Sequence, residues 1–154
     1  RNLKLIASTT LIFGILLYFV DKRPISNNIN QNLNFKNIIA FGIFQILSLI
    51  PGVSRSGIVI TACRIYKFNR IDAAKISFYL SIPALTGASI LGLNNALEEN
   101  IEINLPIILS TFFSFIFSYL TIRFLIFYLK SFSLNLFVYY RILLALALFL
   151  IAYR

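Results

Sequence analysis

Long stretches without a charged side chain constrain the fold of this chain more than any other feature. Three of them, at 5–20, 76–97 and 103–122, contain no Asp, Glu, Lys or Arg. The second and third are long enough to cross a bilayer as helices, and the first becomes so if Lys4 extends its ammonium group to the interface. With 59% hydrophobic and 12% charged residues, the composition is not typical of a soluble domain. The sequence therefore predicts an all-α integral membrane protein.

The predicted architecture is a multi-pass helical bundle that forms a single membrane domain over 1–154. The spanning helices are predicted at 3–20, 71–93, 105–129 and 136–153. Between the first two, 36–67 forms two apolar arms around a polar turn at 51–57, and each arm is too short to cross a bilayer at about 1.5 Å per residue. We predict a re-entrant helix–loop–helix hairpin whose irregular tip lines a cavity. The Asn-rich run at 26–34 is predicted as a polar linker.

The turn of this hairpin reads Pro-Gly-Val-Ser-Arg-Ser-Gly. Gly52 and Gly57 allow a tight turn and a close approach of the backbone to a ligand. If a helix begins near Ser56, its first N–H groups lack partners and point toward the turn. Together with the guanidinium of Arg55 and the hydroxyls of Ser54 and Ser56, they suit a phosphate group. A plain helix break with two capping serines and an arginine that extends to the interface is the alternative that the residues leave open.

This motif resembles the second signature of the undecaprenyl-diphosphate phosphatases, the bacitracin-resistance family of membrane enzymes. The segment 73–88 is similar to the next helix of that family, and 137–142 resembles its last helix. The resemblance covers most of 36–154, with a weaker similarity in the first helix. The family usually has a threonine two residues after the last glycine of the motif, where this chain has Val59.

The resemblance implies an enzyme that hydrolyses undecaprenyl diphosphate to undecaprenyl phosphate and phosphate, which recycles the lipid carrier for peptidoglycan synthesis and confers bacitracin resistance. It implies a multi-pass protein of the bacterial inner membrane. Arg55 would grip the diphosphate, while Ser54 and Ser56 would donate hydrogen bonds or one of them would be the nucleophile. The further substrate-binding candidates are Gly52, Gly57, Gln45 and Thr61. For Gln45, a hydrogen bond between helices is equally open.

A phosphatase also needs a group that activates the nucleophile, commonly aided by a divalent cation that neutralises phosphate charge. The chain has no His, one Cys and five carboxylates in predicted loops or caps, so its residues predict no metal site. The resemblance implies a magnesium or calcium ion whose ligands are not in this chain. It also implies two inverted repeats. This chain is expected to be the carboxyl-terminal one, with an acidic motif and a histidine in the amino-terminal half.

The expected partners are a polyprenyl diphosphate lipid, the membrane and the missing amino-terminal half, and a homodimer is left open. The net charge of +9 does not indicate nucleic acid, because the basic residues stand singly or in pairs at the edges of apolar segments. Two alternatives to the enzyme are a polyprenyl-phosphate transporter or flippase and an inactive fragment of the phosphatase. Broken helices in inverted repeats are also transporter architecture.

Arg141 stands inside the last predicted helix, beside Tyr139 and Tyr140. One interpretation is an interfacial anchor within a belt of aromatic residues. The other is a second cation near the substrate phosphate.

Overall fold

The computed structural model describes residues 2–98 and 104–153, and its regular structure in these ranges is helical. The helices are α1 (Leu3–Asp21), α2 (Ile29–Asn32), α3 (Phe35–Ile46), α4 (Arg55–Ile65), α5 (Arg70–Glu98), α6 (Leu105–Ser131) and α7 (Asn135–Ala152), with a 3-10 turn at Leu47–Leu49. Helices α1, α5, α6 and α7 are long and apolar enough to cross a membrane. The predicted class, an all-α integral membrane protein, is confirmed.

Helix α4 forms the centre of the bundle. Every residue in 58–64 is buried, and α1, α3 and α5 pack against this helix. Helices α3 and α4 also pack against each other, as expected for a hairpin. They contain 12 and 11 residues, about 18 and 16 Å of helix, which is too short to cross a hydrocarbon core of about 30 Å. That this hairpin is re-entrant in the membrane stays a prediction.

Helices α1 and α7 pack along each other through one buried stripe on each. In α1 the buried positions recur every three or four residues and include Ala7, Thr10, Gly14 and Leu17. In α7 they are Val138, Arg141 and Ala145. Such spacing places each set on a single helix face. A Cβ atom at Gly14 would lie 3.3 Å from Cβ of Arg141, so the glycine allows the two helices to approach closely.

A buried cluster of charges joins the helix ends on one side of the bundle. Asp21, at the end of α1, is 3% exposed and accepts two hydrogen bonds from Arg70 at 2.8 and 3.0 Å. It also lies 3.4 Å from Nε of Arg64 and accepts the N–H of Leu134 at 3.3 Å. Arg64 is 1% exposed and donates to three backbone carbonyls. The cluster therefore holds α1, α4, α5 and the turn before α7 together.

Two sequence predictions about loops are wrong. The Asn-rich run, predicted as a plain linker, contains α2, and Asn28 and Asn34 are the N-caps of α2 and α3. Their side-chain oxygens accept backbone N–H groups that would otherwise lack partners at the helix starts. The helix predicted to end at residue 93 continues as α5 to Glu98. The rest of the connection to the helix predicted at 105–129 includes 99–103, which lie outside the described residues.

Candidate active site

The candidate site is built on the turn between α3 and α4. Gly52 has a φ of +90°, a backbone conformation that residues with a side chain rarely adopt. A Cβ atom at this position would also collide with the hydroxyl of Thr9 and the carbonyl of Ile6 on α1. Glycine is thus required here for two reasons, the direction of the turn and the close passage of α1.

Three side chains hold the carbonyl groups of this turn. The hydroxyl of Thr9 donates to the carbonyl of Pro51 at 2.6 Å, and that of Thr10 donates to the carbonyl of Gly52 at 3.2 Å. Arg141 of α7 donates to the Gly52 carbonyl as well, from Nη2 at 3.3 Å. The negative ends of these peptide groups are thus paired with side chains of α1 and α7.

Helix α4 begins directly after the turn, with Ser54 as its N-cap. The Oγ of Ser54 accepts the N–H of Gly57 at 3.2 Å and lies 3.4 Å from the Oγ of Ser56. Ser77 of α5 donates to the carbonyl of Ser56 at 3.3 Å, which holds this first helical turn in place. The other N–H groups of a first turn have no intrahelical partner and carry partial positive charge, so they can bind an anion.

A cavity of about 440 Å³ opens beside the start of α4. Ser54, Ser56 and Arg141 are among its polar lining residues. These groups meet at one place, since a Cβ atom at Gly57 would lie 3.0 Å from Nη1 of Arg141 and 3.2 Å from Oγ of Ser54. Most of the remaining wall is apolar and includes Leu17, Ile60, Leu125, Phe137, Leu144 and Leu148. The cavity therefore has one polar corner in an apolar chamber, which suits a ligand with an anionic head and a hydrocarbon tail.

Arg141 is the cation of this corner. It is 8% exposed, whereas Tyr139 and Tyr140 are 56% and 64% exposed. The interpretation of Arg141 as an interfacial anchor is therefore wrong, since its guanidinium lies in the cavity wall. Within the part of the chain that the structure describes, no carboxylate pairs with Arg141. An anion in the cavity would supply the missing counter-charge.

Arg55, the predicted phosphate-gripping residue, occupies a different place. It is the first residue of α4, is partly exposed and does not line the cavity. Its side chain forms no ion pair with another described residue. Its role in substrate binding stays a prediction.

Two other predicted substrate-binding residues lie away from the cavity. Gln45 donates from Nε2 to the carbonyl of Leu80 at 3.3 Å, which is the hydrogen bond between helices that the sequence left open. Thr61 is 2% exposed and donates to the carbonyl of Gly57 at 2.7 Å within α4. Val59, at the usual threonine position of the motif, is fully buried and likewise does not line the cavity. The hydroxyls that donate to carbonyls of the motif belong to other helices, namely to Thr9 and Thr10 of α1 and to Ser77 of α5.

Together, the fold and the cavity define a class of helical membrane protein in which a helix start and a buried arginine face a largely apolar chamber. Comparison with known families assigns the chain to one of them. It belongs to the family described as bacitracin resistance protein BacA, whose family model matches residues 1–147. The predicted resemblance to the bacitracin-resistance family is confirmed.

The chain is also similar to curated members of known name. It is 55% identical over 154 residues to the undecaprenyl-diphosphatase of Pelagibacter ubique, and the match covers 100% of this chain and 60% of that protein. It is 38% identical over 152 residues to the undecaprenyl-diphosphatase of Elusimicrobium minutum, with 99% and 57% covered. The chain thus spans about three fifths of the length of these relatives.

Proposed function

We propose that this protein hydrolyses undecaprenyl diphosphate to undecaprenyl phosphate and inorganic phosphate in the bacterial inner membrane. The relatives named above are undecaprenyl-diphosphatases, which supports this reaction and this substrate. The product would return the lipid carrier to peptidoglycan synthesis. That recycling would account for the bacitracin resistance in the family's description.

The observation that carries the proposal is the union of a polar corner and an apolar chamber in one cavity. The diphosphate would lie at the start of α4, where the backbone N–H groups, Ser54 and Ser56 can donate hydrogen bonds to it. Arg141 would supply a buried positive charge, and Arg55 would close over the phosphate from the outer side. The first isoprene units would pack against Leu125, Phe137 and the other apolar lining residues.

In the proposed reaction, water adds across the bond between the bridging oxygen and the terminal phosphorus. The nucleophile is the water itself or the hydroxyl of Ser54 or Ser56, which are 3.4 Å apart. In the second case the serine oxygen bonds to the terminal phosphorus as undecaprenyl phosphate leaves with the bridging oxygen, and water then hydrolyses the phosphoserine and releases phosphate. The donors at the corner would stabilise the negative charge that develops on the phosphoryl oxygens.

The described residues do not fit a divalent cation. Within 2–98 and 104–153 no group of three His, Cys, Asp or Glu side chains could hold one, and the polar lining of the cavity consists of hydroxyl and guanidinium groups. We therefore assign no step to a cation on this chain. We propose that the ligands of a magnesium or calcium ion, and the general base, belong to the amino-terminal half that the family resemblance implies.

The test is phosphate release from undecaprenyl diphosphate by the full-length protein in detergent. Ser54→Ala and Ser56→Ala each remove a donor to a charged group, a contribution of about 1.5–3 kcal/mol, so the rate should fall roughly 10- to 150-fold. The matched control is Ser114→Ala, which removes an exposed hydroxyl from α6. If the wild type binds the lipid without releasing phosphate, a transporter is favoured and the proposed reaction is wrong.

A further inference from the structure

The side chain of Arg141 lies along one face of α1. A Cβ atom at Gly14 would lie 3.3 Å from Cβ of Arg141, 3.9 Å from its Nε and 4.0 Å from its Cδ, so the aliphatic part of the arginine passes over this glycine. At the far end of the side chain, Nη2 donates to the Gly52 carbonyl, which also accepts the hydroxyl of Thr10. Thr10 and Gly14 are four residues apart, about one turn and about 6 Å along α1, so they share a face of the helix.

These contacts are enclosed within the bundle. Thr10 is 5% exposed, Arg141 is 8% exposed and Gly14 is buried. They lie where α1 packs against α7 and against the turn before α4. The arrangement therefore does not depend on what covers the outer faces of α5 and α6.

The Gly52 carbonyl limits how the guanidinium of Arg141 can turn. A carbonyl oxygen has two lone pairs, and this one accepts a hydrogen bond from Thr10 at 3.2 Å and another from Nη2 at 3.3 Å. Without the hydroxyl, the freed lone pair can accept a second N–H from the same guanidinium, which has five donors. The guanidinium would then turn toward the carbonyl and withdraw donors from the start of α4, where Nη1 lies beside Gly57.

Gly14 limits the position of the other end of this side chain. A methyl group at residue 14 would contact Cβ of Arg141, which is bonded directly to the backbone. Rotation of the arginine side chain cannot move that atom, so α7 itself would have to shift by a few tenths of an ångström. The guanidinium would move with the helix.

We propose that Thr10 and Gly14 are positioning residues for the reaction, acting through Arg141. Gly14 sets where the arginine leaves α7, and the hydroxyl of Thr10 keeps the guanidinium from giving a second donor to the Gly52 carbonyl. The remaining donors then face the site of the diphosphate. This inference rests on the proposed function. A misplacement of about 1 Å at a positioning group can lower a rate about 100-fold, so small shifts of the guanidinium are costly.

The experiment measures kcat/KM for undecaprenyl diphosphate, and the Kd of the same lipid, with full-length variants in detergent. Thr10→Val should lower kcat/KM roughly 2- to 13-fold, the equivalent of one neutral hydrogen bond, and weaken binding. Thr10→Ser keeps the hydroxyl and should restore the wild-type values. Gly14→Ala should lower kcat/KM at least about fivefold. The matched control is Ser8→Ala, which removes a hydroxyl that bonds within α1 to the carbonyl of Lys4 and should leave both values unchanged.

The same changes in an Arg141→Gln protein separate positioning from stability. This protein has no guanidinium to position, so Thr10→Val and Gly14→Ala should each lower its kcat/KM less than twofold further. Residues that only stabilise the fold would lower kcat/KM by the same factor in both backgrounds, and that result would overturn the proposal.

Thermal unfolding establishes which variants are folded. A folded Thr10→Val protein with wild-type kcat/KM and Kd would overturn the role of the hydroxyl, and so would a Thr10→Ser protein as impaired as Thr10→Val. If Gly14→Ala does not fold, the change is made in Arg141→Gly, which lacks the Cβ atom that the methyl group contacts. There it should leave the midpoint of unfolding unchanged, and a lower midpoint would show that Gly14 does not accommodate Arg141.

Failure of the proposed function would be recognised separately. If the wild type binds the lipid but releases no phosphate, the proposed reaction is wrong, and the Kd values of the same variants then decide whether Thr10 and Gly14 position Arg141. If the wild type releases phosphate and the variants match it, only the positioning role is wrong.

Discussion

Replacing Arg141 by glutamine tests the polar corner of the cavity most directly. In the wild type its Nη2 donates to the carbonyl of Gly52 at 3.3 Å, and its Nη1 lies beside Gly57. The variant loses the cation, and a hydrogen bond to a charged group contributes about 1.5–3 kcal/mol. Since about 1.36 kcal/mol corresponds to a factor of ten, kcat/KM for undecaprenyl diphosphate should fall roughly 10- to 150-fold.

The lysine variant separates charge from geometry at the same position. Arg141→Lys keeps the positive charge but loses the planar guanidinium, so it cannot bind the Gly52 carbonyl and a phosphate oxygen at the same time. Its rate of phosphate release should therefore lie between those of the wild type and Arg141→Gln. Arg23→Gln, which changes an exposed arginine, is the matched control. Thermal unfolding in detergent establishes that each variant is folded. A folded Arg141→Gln protein that releases phosphate at the wild-type rate would refute the assignment of this guanidinium to the substrate.

Three further predictions concern the framework of the site. Gly52→Ala places a methyl group against α1 at a positive φ, so we expect at least about 1–3 kcal/mol of destabilisation, measured as a lower midpoint of thermal unfolding. Asp21→Asn leaves Arg64 and Arg70 without their carboxylate and should destabilise the fold by about 3–5 kcal/mol. An unchanged midpoint of thermal unfolding would show that this charge cluster does not stabilise the fold. Ile29 bonds to Asp72 near the start of α5, so cysteines at Asn30 and Asn95 lie near opposite ends of this helix and should react with an impermeant reagent from opposite sides of the membrane. Position 30 should be cytoplasmic, because Lys22, Arg23, Lys67 and Arg70 lie in the segments at that end.

The long helices could be predicted because an uncharged run of spanning length has few alternatives to a helix in a membrane. The short polar segments could not, because asparagine favours loops and helix caps alike. Asn28 and Asn34 cap helices, whereas Asn94 and Asn95 continue one. The difference depends on which backbone N–H groups lack partners nearby, and composition does not record that.

The polar turn was predictable and its anchors were not. The partners of its carbonyls, Thr9, Thr10 and Arg141, are separated from the turn by 42 and 89 residues along the chain. A signal for them was nevertheless present, since Ser8, Thr9 and Thr10 form a run of hydroxyls in an otherwise apolar helix. Polar and charged residues inside spanning segments face protein or a cavity rather than lipid. Arg141, like Arg55, stands beside apolar segments, where an ionised side chain is unfavourable without a cavity or a counter-ion. The register of α1 against α7 places Arg141 at the start of α4. No local sequence pattern records that register.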